Sequence, residues 1–169
     1  MSEARIGEIM REDILRILEK NSRIGIDELA VRIGADEIEV ANEIKAMEAE
    51  GVICGYHTLI DWEKTSIETV SALIEVTVTP QRGQGFDVIA ERIYNYPEVQ
   101  AVYLMSSGYD LLVNMEGKTL KEVASFVSDK LSTLDSVVGT ATHFVLKKYK
   151  DHGTILAKKK TDEREKLVL

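Results

Sequence analysis

The sequence predicts an α+β protein: a three-helix, helix-turn-helix domain followed by a ferredoxin-like βαββαβ sandwich. Three observations carry that reading. Apolar residues recur at helical spacing through the first 50 residues, and a strict two-residue alternation opens at Val70. From there to about residue 150 strand and helix patterns follow in the order β-α-β-β-α-β, the split βαβ unit. The chain has 169 residues, 44% apolar and 30% charged, enough for one or two small domains. The boundaries expected are 1–55 for the helical domain, 56–66 for a hairpin and linker, 67–150 for the sandwich and 151–169 for a charged tail.

Ile6, Ile9, Ile14, Ile17 and Leu18 mark a first helix that ends at Asn21-Ser22. Asp27 is expected to cap a second, short helix carrying Leu29, Ala30 and Ile33, which Gly34 stops. Asp36 is expected to cap a third, with Val40, Ala41, Ile44 and Met47 on its core side and Gly51 at its end. Short helices joined by a tight Gly turn fit a helix-turn-helix, whose last helix enters the DNA major groove; any small three-helix bundle fits the same spacing.

In the second domain Val70, Ala72, Ile74, Val76 and Val78 form one face of a strand that Pro80 ends. A loop, Gln81-Arg82-Gly83-Gln84-Gly85, leads to a helix with Phe86, Ile89, Ala90 and Ile93, broken at Asn95-Tyr96-Pro97. Strands are expected at 102–105 and around Leu111, Val113 and Met115, joined by the turn Ser106-Ser107-Gly108-Tyr109. Thr119 with Glu122 forms a capping box for a helix with the stripe Leu120, Val123, Ala124, Val127, Leu131 and Leu134, and 138–148 supplies the last strand. Both helices cover one sheet face, so the apolar residues on the other predict a dimer.

Charge and motifs exclude several functions. Residues 1–55 carry 7 Lys and Arg against 13 Asp and Glu, and the overall charge is −8, so long-range attraction does not bring this chain to DNA. The longest apolar run, 101–105, is far short of a membrane span, and no apolar leader opens the sequence; a cytoplasmic location is expected, in agreement with a single Cys. His57, His143 and His152 lack ligand spacing, so no metal is expected, and Cys54 reads as a small packed residue. Gly83-Gln84-Gly85 has Val88 where a phosphate-binding motif needs its third Gly, which leaves a plain loop. No nucleophile or acid-base pair stands out, so catalytic residues and cofactors are expected to be absent. Lys158-Lys159-Lys160 and the residues after it form a mixed-charge tail.

Two stretches of the first domain, 21–34 and Met47-Glu48-Ala49-Glu50-Gly51-Val52-Ile53-Cys54-Gly55-Tyr56, resemble the N-terminal domain of Lrp/AsnC transcriptional regulators. In the second, Tyr96-Pro97-Glu98-Val99, Ser107-Gly108-Tyr109-Asp110-Leu111-Leu112 and 132–138 resemble that family's effector domain, called RAM. Together they span about residues 9–150. The resemblance implies a winged helix-turn-helix, with a strand over 52–60 and Asp61-Trp62-Glu63-Lys64 turning out of the domain. It also implies double-stranded DNA as partner, dimers assembling commonly into octamers, and a small effector, typically an amino acid, bound between dimers.

The chain departs from the family where the reading helix presents a cluster of Arg: Ala41, Asn42, Glu43 and Ala46 stand at the matching positions. Residues 36–50 hold six carboxylates and one Lys. Asn42 has the donor and acceptor to read an adenine edge, and Glu39 or Glu43 could accept from a cytosine amino group. Arg5, Arg11, Arg23, Arg32 and Lys45 are the cations that could hold the backbone, or they are simply solvated. For an amino-acid zwitterion, Asp110 could take the ammonium, and the turn around Ser107, Gly108 and Tyr109 with Thr140 or Thr142 the carboxylate. The alternative is that Gly108 supplies the turn and Asp110 caps its strand. The expected function is a DNA-binding regulator modulated by such an effector. The alternative is an amino-acid-sensing or assembly module whose acidic helix-turn-helix no longer binds DNA.

Overall fold

A computed structural model describes residues 3–79 and 85–157 and divides the chain into two compact units, Met1–Leu59 and Ile60–Leu169. The first holds α1 (Glu3–Lys20), α2 (Ile26–Ile33) and α3 (Glu37–Ala49). Gly25, rather than Asp27, caps α2; Asp27 lies in its first turn, where its carboxylate favours the positive end of the helix. Gly34 closes α2 in the left-handed conformation (φ 69°), where a side chain would be strained. The Asp36 carboxylate caps α3 by accepting from the N–H of Ile38 at 2.9 Å and of Glu39 at 3.4 Å. Ile14, Leu29, Ala30, Val40 and Met47 are buried together, with Ile44 half-buried against them. Each large side chain among them contributes about 2 kcal/mol by leaving water.

Residues 52–60 are not a paired strand. The N–H groups of Val52 and Ile53 still bond to the Met47 carbonyl at 2.9 and 3.1 Å, and from there the chain runs on almost wholly exposed, with no strand beside it among the described residues. Cys54 is accordingly exposed rather than packed, its thiol donating to the Gly51 carbonyl at 3.1 Å. A single 3-10 turn, Trp62–Lys64, follows.

The second unit orders β1 (Val70–Val78), α4 (Asp87–Tyr94), β2 (Val99–Leu104), β3 (Leu111–Gly117), α5 (Leu120–Phe126) and β4 (Val137–Phe144). The sheet is antiparallel throughout, in the order β2-β3-β1-β4. Its covered face buries Ala72, Ile74, Val76, Leu111, Val113 and Met115 against Ile89, Ile93, Val123, Phe126 and Leu131. The other face carries Leu73, Leu112, Tyr103 and Ala141 together with Glu75, Asn114 and Glu116, and His143 Nε2 lies 3.2 Å from Glu75 Oε1.

Three details depart from the sequence pattern. α5 widens after Phe126 into a π-helical turn, Val127–Leu131, with Ser132 N–H bonded to the Val127 carbonyl. That turn rotates the stripe, so Phe126 is buried while Leu120 and Ala124 are exposed. Tyr96 meets Phe126 edge to face at 5.5 Å, and Lys130 reaches from the π turn to Glu98. Part of the Tyr96-Pro97-Glu98-Val99 stretch thus serves packing. β4 ends at Phe144 rather than 148: Val145 N–H makes a last bond to Ser71, and β1 begins only one residue earlier. A small hairpin then pairs β5 (Lys150–Asp151) with β6 (Thr154–Ile155), where a tail was expected; His152 (φ 41°) and Gly153 (φ 78°) form its two-residue turn. Pro80, the loop 81–84 and the Lys-rich stretch from 158 onward lie outside the described residues, as does the side chain of Arg5.

Candidate functional site

Six carboxylates on and around α3 argue against DNA only if they face outward, and the structure shows where three of them go. Arg11, on α1, donates from Nε to Glu43 at 2.7 Å and from its two terminal nitrogens to both oxygens of Glu50 at 2.8 and 2.9 Å. The pairing is bidentate with Glu50 and draws both carboxylates toward α1. The Glu50 hydrogen bonds raise the Arg11 pKa further above its usual range, with Glu43 adding to them, and Arg11 in turn holds Glu50 below the ordinary carboxylate value. A third carboxylate, Glu48, accepts from the Tyr56 hydroxyl at 2.8 Å.

What remains on the side of α3 opposite Val40, Ile44 and Met47 is Ile38, Asn42, Lys45 and Ala49, at i, i+4, i+7 and i+11. All four are exposed, Ile38 to 72% of its surface. This face carries no carboxylate. Of the predicted DNA-contacting residues, Asn42 and Lys45 therefore project together, Glu39 is exposed to one side, and Glu43 is occupied by Arg11. On α2, Arg32 pairs with Glu28 at 2.6 Å in an exposed i,i+4 pair. Arg23 is exposed in the turn before α2. Composition could not reveal the Arg11 pairings, since they join residues 32 and 39 positions apart.

In the second unit the turn between β2 and β3 is built on Asp110. Its N–H bonds to the Val76 carbonyl, its carbonyl accepts from Met105, and its Oδ2 accepts from Val78 N–H at 2.8 Å. The carboxylate thus ties the turn to the end of β1 through one oxygen. Ser107 and Gly108 are exposed, Tyr109 and Asp110 half-buried, and the Ser107 hydroxyl lies 3.3 Å from the Tyr109 carbonyl.

Gly108 has neither a left-handed φ nor a neighbour within 4 Å of the place a Cβ would occupy, so the turn does not require glycine there. Thr140 and Thr142 pair with Val76 and Ile74 on β4 and are half-buried. Leu111, Val76 and Thr140 lie in one row across β3, β1 and β4, so Thr140 is roughly 10 Å from the base of the turn, two strand spacings. One chain does not bring these residues into one pocket. Two clefts formed by described residues of this unit, of about 440 and 920 Å³, are not lined by residues 107–110, Thr140 or Thr142. Among the described residues no group of three or more His, Cys, Asp and Glu is placed to hold a metal ion.

A helix-turn-helix followed by a βαββαβ unit joins the architecture of a DNA-binding motif to a separate α+β domain, the arrangement of a two-part regulator. Comparison with known proteins agrees on both parts. Residues 9–53 match the model of a winged helix-turn-helix DNA-binding domain, and residues 71–155 that of the Lrp/AsnC ligand binding domain. The chain is 51% identical over 153 residues to the HTH-type transcriptional regulator YugG of Bacillus subtilis, an uncharacterized protein; the match spans 90% of this chain and 92% of that one. It is 29% identical over 133 residues to the proline dehydrogenase transcriptional activator of Rhodobacter capsulatus, covering 79% and 86%.

Among solved structures, a transcriptional regulator of Neisseria meningitidis in complex with L-Met superposes with a TM-score of 0.69 at 23% identity over 86% of this chain and 94% of that one. AsnC of Escherichia coli superposes at 0.63 and 18% identity over 82% and 91%. These structures show the shared fold. The chain belongs to the Lrp/AsnC family of transcriptional regulators, a family of regulators and not of enzymes.

Proposed function

We propose that this protein is a cytoplasmic, DNA-binding transcriptional regulator whose oligomers respond to an amino acid. The observation that carries the DNA-binding reading is the outward face of α3, from which Arg11 draws Glu43 and Glu50 away. It leaves Asn42 and Lys45 projecting, with Arg23 and Arg32 in α2 and the turn before it. No helix of the described residues is long and apolar enough to cross a membrane.

The effector reading rests on the turn at 107–110. The glycine that the backbone does not need leaves the N–H groups of this turn open to close approach, and Asp110 keeps one oxygen without a protein partner among the described residues. An amino acid would place its ammonium on Asp110 and its carboxylate on the turn N–H groups. Thr140 or Thr142 would come from another subunit, because within one chain they lie across the sheet. The L-Met complex of the Neisseria relative supports an amino acid as the ligand class. Dimers form through the open sheet face with Leu73, Leu112 and Tyr103, and dimers assemble further, to octamers, around the effector turn. A ligand seated between dimers alters their spacing, and so the fit of paired α3 helices to successive grooves.

The test is selection from random duplex DNA with the purified full-length protein at about 50 mM salt, followed by a salt titration of the selected site. With Arg23, Arg32 and Lys45 each contributing from two subunits, six contacts in all, log K should fall against log salt with a slope of about −5.4. No enrichment by a folded, oligomeric sample would overturn the DNA-binding reading and favour a sensing or assembly module.

A further inference from the structure

Given the DNA-binding reading on which this inference rests, the residue types on α3 narrow which bases the helix can read. The N-terminal half of a recognition helix meets base edges, and in α3 that half presents Ile38 and Asn42, one turn apart on the outward face. Neither is the residue type that selects guanine, which is Arg or Lys bidentate to O6 and N7. An Asn side chain matches adenine, whose N6 amino group donates and whose N7 accepts. An apolar side chain matches the thymine C5-methyl, the one apolar group in the major groove.

Ile38 has no packing role that explains an isoleucine: it is exposed to 72%, while the core side of the helix is filled by Val40, Ile44 and Met47. Such a side chain gains by covering a methyl group and loses by desolvating a polar edge. Glu43 and Glu50, which would repel phosphate, are held by Arg11, and Lys45 stands a turn further along the same face, placed for a backbone phosphate.

We propose that α3 reads A·T pairs, Asn42 taking an adenine edge and Ile38 a thymine methyl one to two base pairs away. Specificity then rests on one bidentate amide and one methyl contact per half-site rather than on basic side chains. One turn of helix rises about 5.4 Å against 3.4 Å per base pair, which sets that separation.

The experiment uses the duplex recovered by selection with the full-length protein and replaces single bases by analogues. Deoxyuridine in place of one thymine per half-site removes only the methyl and should weaken binding about fourfold. 7-Deazaadenine in place of one adenine removes N7 and should weaken it about tenfold. Ile38→Ala should lose the response to deoxyuridine and keep the response to 7-deazaadenine, and Asn42→Ala should do the reverse. Both positions are exposed, so circular dichroism and gel filtration should match the parent protein. A selected site that binds tightly yet responds to neither analogue, or whose contacted positions are G·C, would overturn this assignment while leaving DNA binding intact. Failure to select any DNA would overturn both.

Discussion

The two regions proposed to carry function in this chain use their carboxylates in opposite ways. On α3, Glu43 and Glu50 are satisfied by Arg11, and the consequence lies elsewhere: the outward face is left without charge apart from Lys45. In the turn at 107–110, Asp110 is satisfied through one oxygen only and still faces a turn whose glycine the backbone does not demand. The first region shows that a count of charges along a helix says little about the field a ligand meets. In the second, the effector contact proposed for Asp110 would share its side chain with a structural hydrogen bond.

The largest effect is expected from separating those two roles of Asp110. Asp110→Ala should abolish the calorimetric heat of amino-acid binding and leave Val78 N–H without its acceptor, at about 1–3 kcal/mol of unfolding free energy in urea titration. Asp110→Asn keeps a neutral oxygen for Val78, so it should restore most of the stability and little of the binding. Equal ligand binding by the Ala variant and the parent would show that the carboxylate only caps β1.

A middle-sized effect follows from pH. Arg11 holds Glu50 below its usual value of 4.5, and Lys130 does the same for Glu98 in the second unit. A carboxylate whose pKa is depressed by folding contributes stability that is fully present above the unfolded value and is lost as pH falls through the folded one. Thermal melts should therefore be level above about pH 5 and decline below 4.5. Arg11→Met should flatten the Glu50 share of that decline, and Lys130→Met the Glu98 share. An acid limb unchanged in both variants would assign it to other groups.

The smallest effect is expected at the exposed Arg32–Glu28 pair. Glu28→Ala should change stability by less than about 0.5 kcal/mol, because an exposed i,i+4 pair contributes little. It should tighten DNA binding slightly, by freeing Arg32 for phosphate. Weaker binding by this variant would place Glu28, not Arg32, in the interface.

Much of the fold was legible where a local cause decides the structure. The Asp36 cap, the Gly34 stop, the alternation of β1 and the Thr119 cap follow from one residue type or one period. What the pattern missed depends on partners distant in sequence or absent from the chain. The segment 52–60 has strand-like composition but no partner strand among the described residues, and the π turn after Phe126 shifts a stripe that a regular 3.6-residue period places one way only. The hairpin at 150–155 was signalled by Gly153 after His152 but lay inside a stretch read as charged tail. At the candidate sites, Asn42, Asp110 and Gly108 were visible as residue types. The removal of Glu43 and Glu50 from the reading face was not, because it depends on Arg11 on another helix.

The withdrawal of Glu43 and Glu50 by Arg11 is measured as DNA affinity at low salt for the parent protein, Arg11→Met and the triple variant Arg11→Met/Glu43→Gln/Glu50→Gln. Releasing the two carboxylates should weaken binding roughly fivefold to tenfold, about 1 kcal/mol, and neutralising them in the triple variant should restore it. Parent-like affinity in Arg11→Met would contradict the account, because the carboxylates would then not need to be held away from the reading face.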